Sequence, residues 1–225
     1  RDWADHISQT LIHYYENTNK RYEWGTFREL LTLCEKHREK HKKPNKKYHW
    51  PKRERNTVML VHPLYLQLCD MDRTRAKKME KEASQYLENL MGLLNLNRNK
   101  SQARFVLLDT IHHYAAGTSS LLERGLIDRV IFTLFDSGSI LDHTDLKAFK
   151  EDTVFFGGGY NRRCLSTSID QVRRNTAPKD IWGIKELVLN SPDESYSSLK
   201  PREISGINKN RMIGLEEVIQ RLELG

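Results

Sequence analysis

The order of apolar and polar positions predicts strands that alternate with helices along most of the chain. Five short apolar runs have the length of buried strands: residues 57–65, 104–109, 129–135, 153–156 and 184–189. Apolar residues recur at helical spacing in the segments between and after them: 79–94, 114–123, 145–149, 165–174 and 215–222. Such alternation predicts an α/β fold of Rossmann-like type, with three layers and a mostly parallel sheet that has helices on both faces.

The first part of the chain has a different pattern, which predicts helices without strands. Phe27, Leu30 and Cys34 stand at helical spacing, and Pro44 stops that helix. We therefore predict two regions: a basic, mostly helical N-terminal extension over residues 1–56, and a Rossmann-like α/β domain over residues 57–225.

Most of the positive charge lies in one segment of the extension. The formal net charge is +7, yet Lys36 to Arg55 alone contains ten Lys or Arg and two Glu. Tyr48, His49 and Trp50 lie within this run. Charge with aromatic residues is typical of a surface that binds nucleic acid or an acidic partner, although such runs are more often solvated surface.

Three features bear on compartment and cofactors. No run of about 18 apolar residues is present, and the start of the chain lacks the apolar core of a signal peptide, so we predict no membrane association. Three cysteines, Cys34, Cys69 and Cys164, are too few and too far apart for a disulfide scaffold. We expect a cytoplasmic protein with no metal and no cofactor, and no oligomeric state is predicted.

Polar residues collect where the predicted strands end. His62 follows the first strand, and Asp109 with His112 and His113 follows the second. Asp136 follows the third. Ligands of open α/β sheets bind at the carboxyl ends of strands, so these residues are candidates for a general base or for ligand binding. The alternative is that they form helix caps and turns.

The loop after the fourth predicted strand is the strongest candidate for chemistry. Its residues are Gly157, Gly158, Gly159, Tyr160, Asn161, Arg162, Arg163 and Cys164. Consecutive glycines allow close approach to a ligand, and the start of a helix together with two arginines favours a thiolate or a bound phosphate. Cys164 can equally be a small buried apolar residue. The dinucleotide-binding fingerprint is poorly matched, because Arg162 stands where its third glycine would be.

The stretch from Asp128 to Ile169 resembles the isochorismatase-like cysteine hydrolases, the family that includes the nicotinamidases. The resemblance lies in Gly158 placed six residues before Cys164 and in the helix start Cys164-Leu165-Ser166-Thr167. It implies a cysteine nucleophile at Cys164. Two positions depart from the family pattern: His62 stands where the catalytic aspartate is expected, and residues 133–136 contain no lysine.

These observations lead to one leading hypothesis and two alternatives. The first is a divergent cysteine-dependent hydrolase of a small amide or ester, with Cys164 as nucleophile and His112, His113 or His62 as base. The backbone of the 158–164 loop would stabilise an oxyanion, and Arg162 or Arg163 would hold an anionic substrate group. The second is a non-catalytic module that binds a nucleotide or phosphorylated ligand. The third is a protein that docks nucleic acid or an acidic partner through residues 36–55.

Overall fold

The computed structural model describes residues 56–64, 73–98, 103–110, 113–114, 118–134, 137–141, 143–190 and 204–224. The predicted helical extension, apart from Asn56, lies outside these residues. So do Cys34, Cys69, His112 and Asp136.

Strands and helices alternate along the described chain, as the hydrophobic pattern predicts. In chain order they are β1 Asn56–Val61, α1 Arg73–Arg98, β2 Arg104–Asp109, α2 Ser119–Glu123, β3 Arg129–Phe132, a 3-10 helix His143–Phe149, β4 Thr153–Gly158, α3 Cys164–Thr176, β5 Asp180–Val188, a second 3-10 helix Lys209–Arg211, β6 Met212–Ile213 and α4 Leu215–Leu224.

The described strands form one sheet in the order β3-β2-β1-β4-β5-β6, and every neighbouring pair is parallel. The first three strands extend the sheet in one direction and the last three extend it in the other. Parallel strands of this kind bind ligands beside the point where the direction changes, which here lies between β1 and β4. The predicted α/β class with a parallel sheet is confirmed.

The sheet has an apolar layer on each face. Val58 and Leu60 of β1 pack in one cluster with α1 and α4, whereas Met59 and Val61 pack in the other with the first 3-10 helix and α3. Side chains of a strand alternate between the two faces, so a strand that is apolar at every position is buried on both sides. This explains why the strands appear in the sequence as continuous apolar runs.

Several predicted boundaries were wrong. The first strand ends at Val61 instead of Tyr65, because His62 has a φ of 40° and turns the chain out of the sheet. The segment 145–149 belongs to a 3-10 helix. β5 begins four residues before the predicted start, at Asp180. β6 was not predicted, because two residues are too short a run to give a pattern.

A buried ion pair connects three strands at the amino edge of the sheet. Arg104 at the start of β2 pairs with Asp152, just before β4, and both side chains are less than a tenth exposed. Thr57 of β1 donates a hydrogen bond to the same carboxylate, with 2.6 Å between the oxygens, and the Arg104 guanidinium also donates to the carbonyl of Ala148. Breaking such a pair leaves an uncompensated buried charge, so this edge has a structural role.

None of the described helices combines the length and the apolar character needed to cross a bilayer. Within the same described ranges, no group of three or more His, Cys, Asp or Glu residues is arranged to hold a metal ion.

Candidate functional site

The carboxyl edge of the sheet brings polar side chains from three neighbouring strands together. His62 follows β1, Asp109 ends β2 and Thr133 follows β3. The His62 amide donates to the carbonyl of Leu108 at 2.9 Å, and the Thr133 amide donates to the carbonyl of Asp109 at 2.9 Å. These bonds continue the parallel ladder past the strand ends, and they fix the three residues side by side.

Asp109 is the centre of this edge. Its side chain is fully buried, and its carboxylate accepts hydrogen bonds from the Thr110 amide at 2.9 Å, His113 Nδ1 at 2.7 Å and the Thr118 hydroxyl at 2.9 Å. An ionised carboxylate only accepts hydrogen bonds, so the His113 proton lies on Nδ1. The other ring nitrogen, Nε2, is then the basic one whenever the imidazole is neutral.

The chain after β2 folds so as to hold His113 against Asp109. The Thr110 hydroxyl accepts a hydrogen bond from the His113 amide at 3.1 Å, and the Thr110 carbonyl accepts one from the Tyr114 amide at 3.0 Å. These two bonds close a turn that places residue 113 over residue 109. The imidazole of His113 is 1% exposed, so its orientation is fixed on all sides by protein.

His62 lies beside His113 and contacts the end of β3. The two imidazole rings are nearly perpendicular, with 5.7 Å between their centroids. His62 Nε2 and the Thr133 hydroxyl share a hydrogen bond of 2.7 Å. Burial lowers the pKa of His62 to about 4, the Asp109 carboxylate opposes this shift and His113 adds to it. His62 is therefore neutral at physiological pH.

Packing within the protein explains the glycines at the end of β4 and just after it. A Cβ at Gly158, which has a φ of 107°, would overlap the carbonyl of Val61 on β1. A Cβ at Gly159 would lie 2.6 Å from Cβ of Leu189. We predicted from the sequence that these glycines allow a ligand to come close to the backbone. In the structure it is Val61 and Leu189 that come close to it.

Backbone amides of the same loop are bonded inside the protein. The amides of Gly159, Asn161, Arg162 and Arg163 donate to the Val61 carbonyl, the Leu189 carbonyl, the Asn161 side chain and the Tyr160 carbonyl respectively. These four N–H groups therefore already donate to acceptors within the protein and not to an anion or an oxyanion. The Arg162 and Arg163 side chains are exposed, and Tyr160 is buried in the core.

Asn161 connects the loop to the segment before β6. Its side chain is 1% exposed, its carbonyl oxygen accepts from the Ser205 amide at 2.9 Å, and its amide nitrogen donates to the side chain of Asn190 at 3.2 Å. These bonds give the buried side chain of Asn161 a structural role, in addition to the role in ligand binding that we predicted for it.

Cys164 begins α3, as predicted, but its side chain is 2% exposed and packs in an apolar cluster. A Cβ on Gly138 would lie 2.5 Å from the carbonyl oxygen of Cys164, and the Ser168 hydroxyl donates to the Gly138 carbonyl at 2.8 Å. The segment after β3 is thus closely packed over the first turn of α3. This burial favours the structural alternative for Cys164.

The structure brings together His62, Asp109 and His113 and adds two threonines that sequence reasoning missed. Thr118 immediately precedes α2, where it would have been expected to cap the helix; its hydroxyl instead donates to Asp109. Thr133 directly follows β3, but the predicted strand ran to residue 135 and so placed Thr133 inside it. The predicted roles of His112 and Asp136 concern residues outside the described part of the chain.

Protonation of His62 should make the protein sensitive to mild acid. The folded-state pKa of about 4 lies below the ordinary 6.5, so the unfolded chain binds more protons between these values and the free energy of unfolding falls as pH falls through that window. A pKa difference of this size corresponds to a loss of roughly 3 kcal/mol in the free energy of unfolding. Urea titrations from pH 7 to pH 4 should show this loss in the wild type and a smaller one in H62Q. His143 is exposed, so H143Q should follow the wild type; equal losses in all three proteins would contradict this assignment.

Two glycine-to-alanine changes should have opposite effects on stability. G158A forces a side chain into a left-handed backbone conformation and against β1, so we expect a loss of at least about 3 kcal/mol. A methyl group added at Gly92, within α1, would meet no other atom within 4 Å, and G92A should raise stability by about 0.5–1 kcal/mol. Equilibrium denaturation measures both values, and a G158A protein as stable as the wild type would contradict the packing explanation.

Comparison with solved protein structures finds three chains that are similar to this one. No family model and no curated protein matches the chain. A solved cysteine hydrolase from Pseudomonas syringae pv. phaseolicola 1448A is similar over 76% of this chain and 93% of its own, with 15% identity and a TM-score of 0.41. A likeness at this level supports no conclusion about activity.

Proposed function

We propose that the chain is a hydrolase of small amide or ester substrates, with its site at the carboxyl edge of the sheet. One observation carries the proposal: the buried hydrogen bond of 2.7 Å between Asp109 and His113 Nδ1. A histidine oriented through Nδ1 by a buried carboxylate presents Nε2 as a general base. This pair lies at the end of β2, next to β1, which is one of the two strands between which the strand order changes direction and parallel sheets bind their ligands.

Cys164 is the nucleophile in this proposal. It begins a helix of 13 residues after the 159–163 loop, and the partial positive charge at the start of a helix favours the thiolate over the thiol. His113 takes the thiol proton, and the sulfur attacks the carbonyl carbon of the substrate. The bond to the amine or alcohol breaks as His113 returns the proton to that leaving group. Water then cleaves the resulting thioester, which releases the acid and restores the thiol.

His62 and Thr133 have a supporting role. The resemblance to the isochorismatase-like hydrolases places a carboxylate at residue 62 and a lysine near residue 133, and this chain has a hydrogen-bonded His–Thr pair there instead. A neutral imidazole lacks the charge of a carboxylate and cannot replace it as an ion. We therefore assign the base to His113, with His62 as its packed neighbour.

A second candidate is favoured by the burial of Cys164. A thiol that is 2% exposed among apolar side chains is typical of a structural cysteine, and the fold would then serve in binding without covalent chemistry. Internal bonding of four loop amides weighs against a phosphate cradle within that candidate. The two functions differ in whether the native protein exposes a reactive thiolate.

Alkylation of Cys164 distinguishes the two candidates. In a C34S/C69S background, iodoacetamide labelling should occur in the native protein, and mass spectrometry measures its rate against pH. If His113 activates the thiol, H113Q and D109N should each slow labelling at neutral pH by at least about tenfold, a lower bound beneath the roughly 100- to 10,000-fold that is usual for general-base catalysis. H143Q, which changes an exposed histidine, is the matched control and should label like the parent.

Hydrolysis of p-nitrophenyl acetate provides the second readout, and C164S should abolish it. Circular dichroism melts must show that each variant is folded. Labelling of Cys164 that begins only in unfolding concentrations of urea would refute the hydrolase proposal and support the structural candidate. The same conclusion would follow if H113Q and D109N left the rate of labelling in the native protein unchanged.

A further inference from the structure

Residues 137–141, here called the strap, lie against the first turn of α3. The nearest approach is between two backbones: a Cβ on Gly138 would lie 2.5 Å from the carbonyl oxygen of Cys164 and 2.7 Å from its Cα. No side chain fits into this space, so the contact requires a glycine. Gly138 also has a φ of 68°, a left-handed conformation that favours glycine for a separate reason.

Two side chains of α3 bind the strap. The Ser168 hydroxyl donates to the Gly138 carbonyl at 2.8 Å. The side-chain oxygen of Gln171 accepts from the Ile140 amide at 2.6 Å. Residues four and three positions apart lie on one face of a helix, so Cys164, Ser168 and Gln171 share the face that the strap contacts. Ile140 adds an apolar contact, because it is buried in the same cluster as Cys164.

On its other side the strap pairs with the end of β3. Thr133 and Ile140 form an antiparallel bridge, and the Leu141 amide donates to the Phe132 carbonyl at 3.0 Å. In the described sheet β3 is the outermost strand, and β2 and β1 separate it from β4, the strand that precedes α3. The strap therefore extends from the edge of the sheet to a helix that packs over its centre.

The strap can leave α3 without disturbing the parallel sheet. Such a movement breaks the bonds from Ser168 and Gln171 and exposes Ile140, whereas the ladders between the six strands keep every hydrogen bond. Val61 of β1 and Phe156 of β4, which belong to the same cluster as Cys164, lie in strands that are paired on both sides. Local openings of this kind cost less free energy than global unfolding, so the strap is the part of this cluster that opens most easily.

We propose that the strap is an autoinhibitory cover of Cys164, which a substrate has to displace before it meets the thiol. The inference rests on the proposed function, because it concerns access to the nucleophile of that reaction. It reconciles a nucleophilic role with a side chain that is 2% exposed: the described form is closed, and the chemistry takes place in a minor open form. The open fraction then scales both the rate of alkylation and the apparent affinity for substrate.

Alkylation of Cys164 by iodoacetamide in the native C34S/C69S protein tests the strap directly. A methyl group at residue 138 does not fit against Cys164, so G138A should favour the open form and raise the labelling rate by at least about tenfold. G125A is the matched control. Gly125 has the same φ of 68°, and an added Cβ there would meet no atom within 4 Å. The backbone strain is thus alike in the two variants, and G125A should label like the parent.

A milder pair of variants tests the same point if G138A does not fold. S168A removes the donor to the Gly138 carbonyl and should raise the labelling rate about fivefold, the effect of losing one hydrogen bond. Ser166 is on the same helix, and its buried hydroxyl bonds to no group in the part of the chain that the structure describes. S166A should therefore label at the rate of the parent.

Equal acceleration by G138A and G125A would mean that Cys164 is reached through global unfolding, and this result would overturn the proposal. So would unchanged labelling in both G138A and S168A. Hydrolysis of p-nitrophenyl acetate by the same variants separates the strap from the hydrolase proposal. Faster labelling without any hydrolysis would support the strap as a cover of Cys164 and refute the hydrolase. Hydrolysis by the parent, with labelling that neither G138A nor S168A accelerates, would do the reverse.

Discussion

A carboxylate that is removed from water must find donors within the protein, and this constraint on Asp109 organises the carboxyl ends of β1, β2 and β3. Its three donors come from the turn after β2, from the imidazole that this turn carries and from the residue before α2. Through His113 the network reaches His62 after β1, and through His62 it reaches Thr133 after β3. The ends of three adjacent strands therefore depend on one buried charge.

The architecture could be predicted because the sheet is buried on both faces. Continuous apolar runs such as β2, Arg104–Asp109, were placed at their observed bounds, and the switch from strand to helical spacing gave the element order. The exceptions are positions where a local conformation, and not burial, decides the structure. The left-handed backbone of His62 ends β1 early, and the two residues of β6 are held by pairing with Gly183 and Ile184. Neither feature leaves a periodic signal.

The candidate site was only partly predictable, because strand order determines which residues meet. Polar residues after successive strands pointed to His62, Asp109 and His113 from the sequence, since carboxyl ends of parallel strands share one edge. The partners Thr118 and Thr133 depend on side-chain directions that no spacing rule contains. The glycines at residues 157–159 show the opposite error. A positive φ occurs only at Gly158, and the close approaches of Gly158 and Gly159 are to Val61 and Leu189, where a ligand had been expected.

The proposed hydrolase activity depends on which ring nitrogen of His113 carries the proton. If Asp109 orients His113 as a base, long-range 15N-edited NMR spectra at pH 7 will show His113 with its proton on Nδ1 and a bare Nε2. In D109N the same spectra should show a mixture of tautomers, because the acceptor that fixes the proton is weakened. A His113 with its proton on Nε2, or a tautomer that D109N leaves unchanged, would contradict the assignment of His113 as the base.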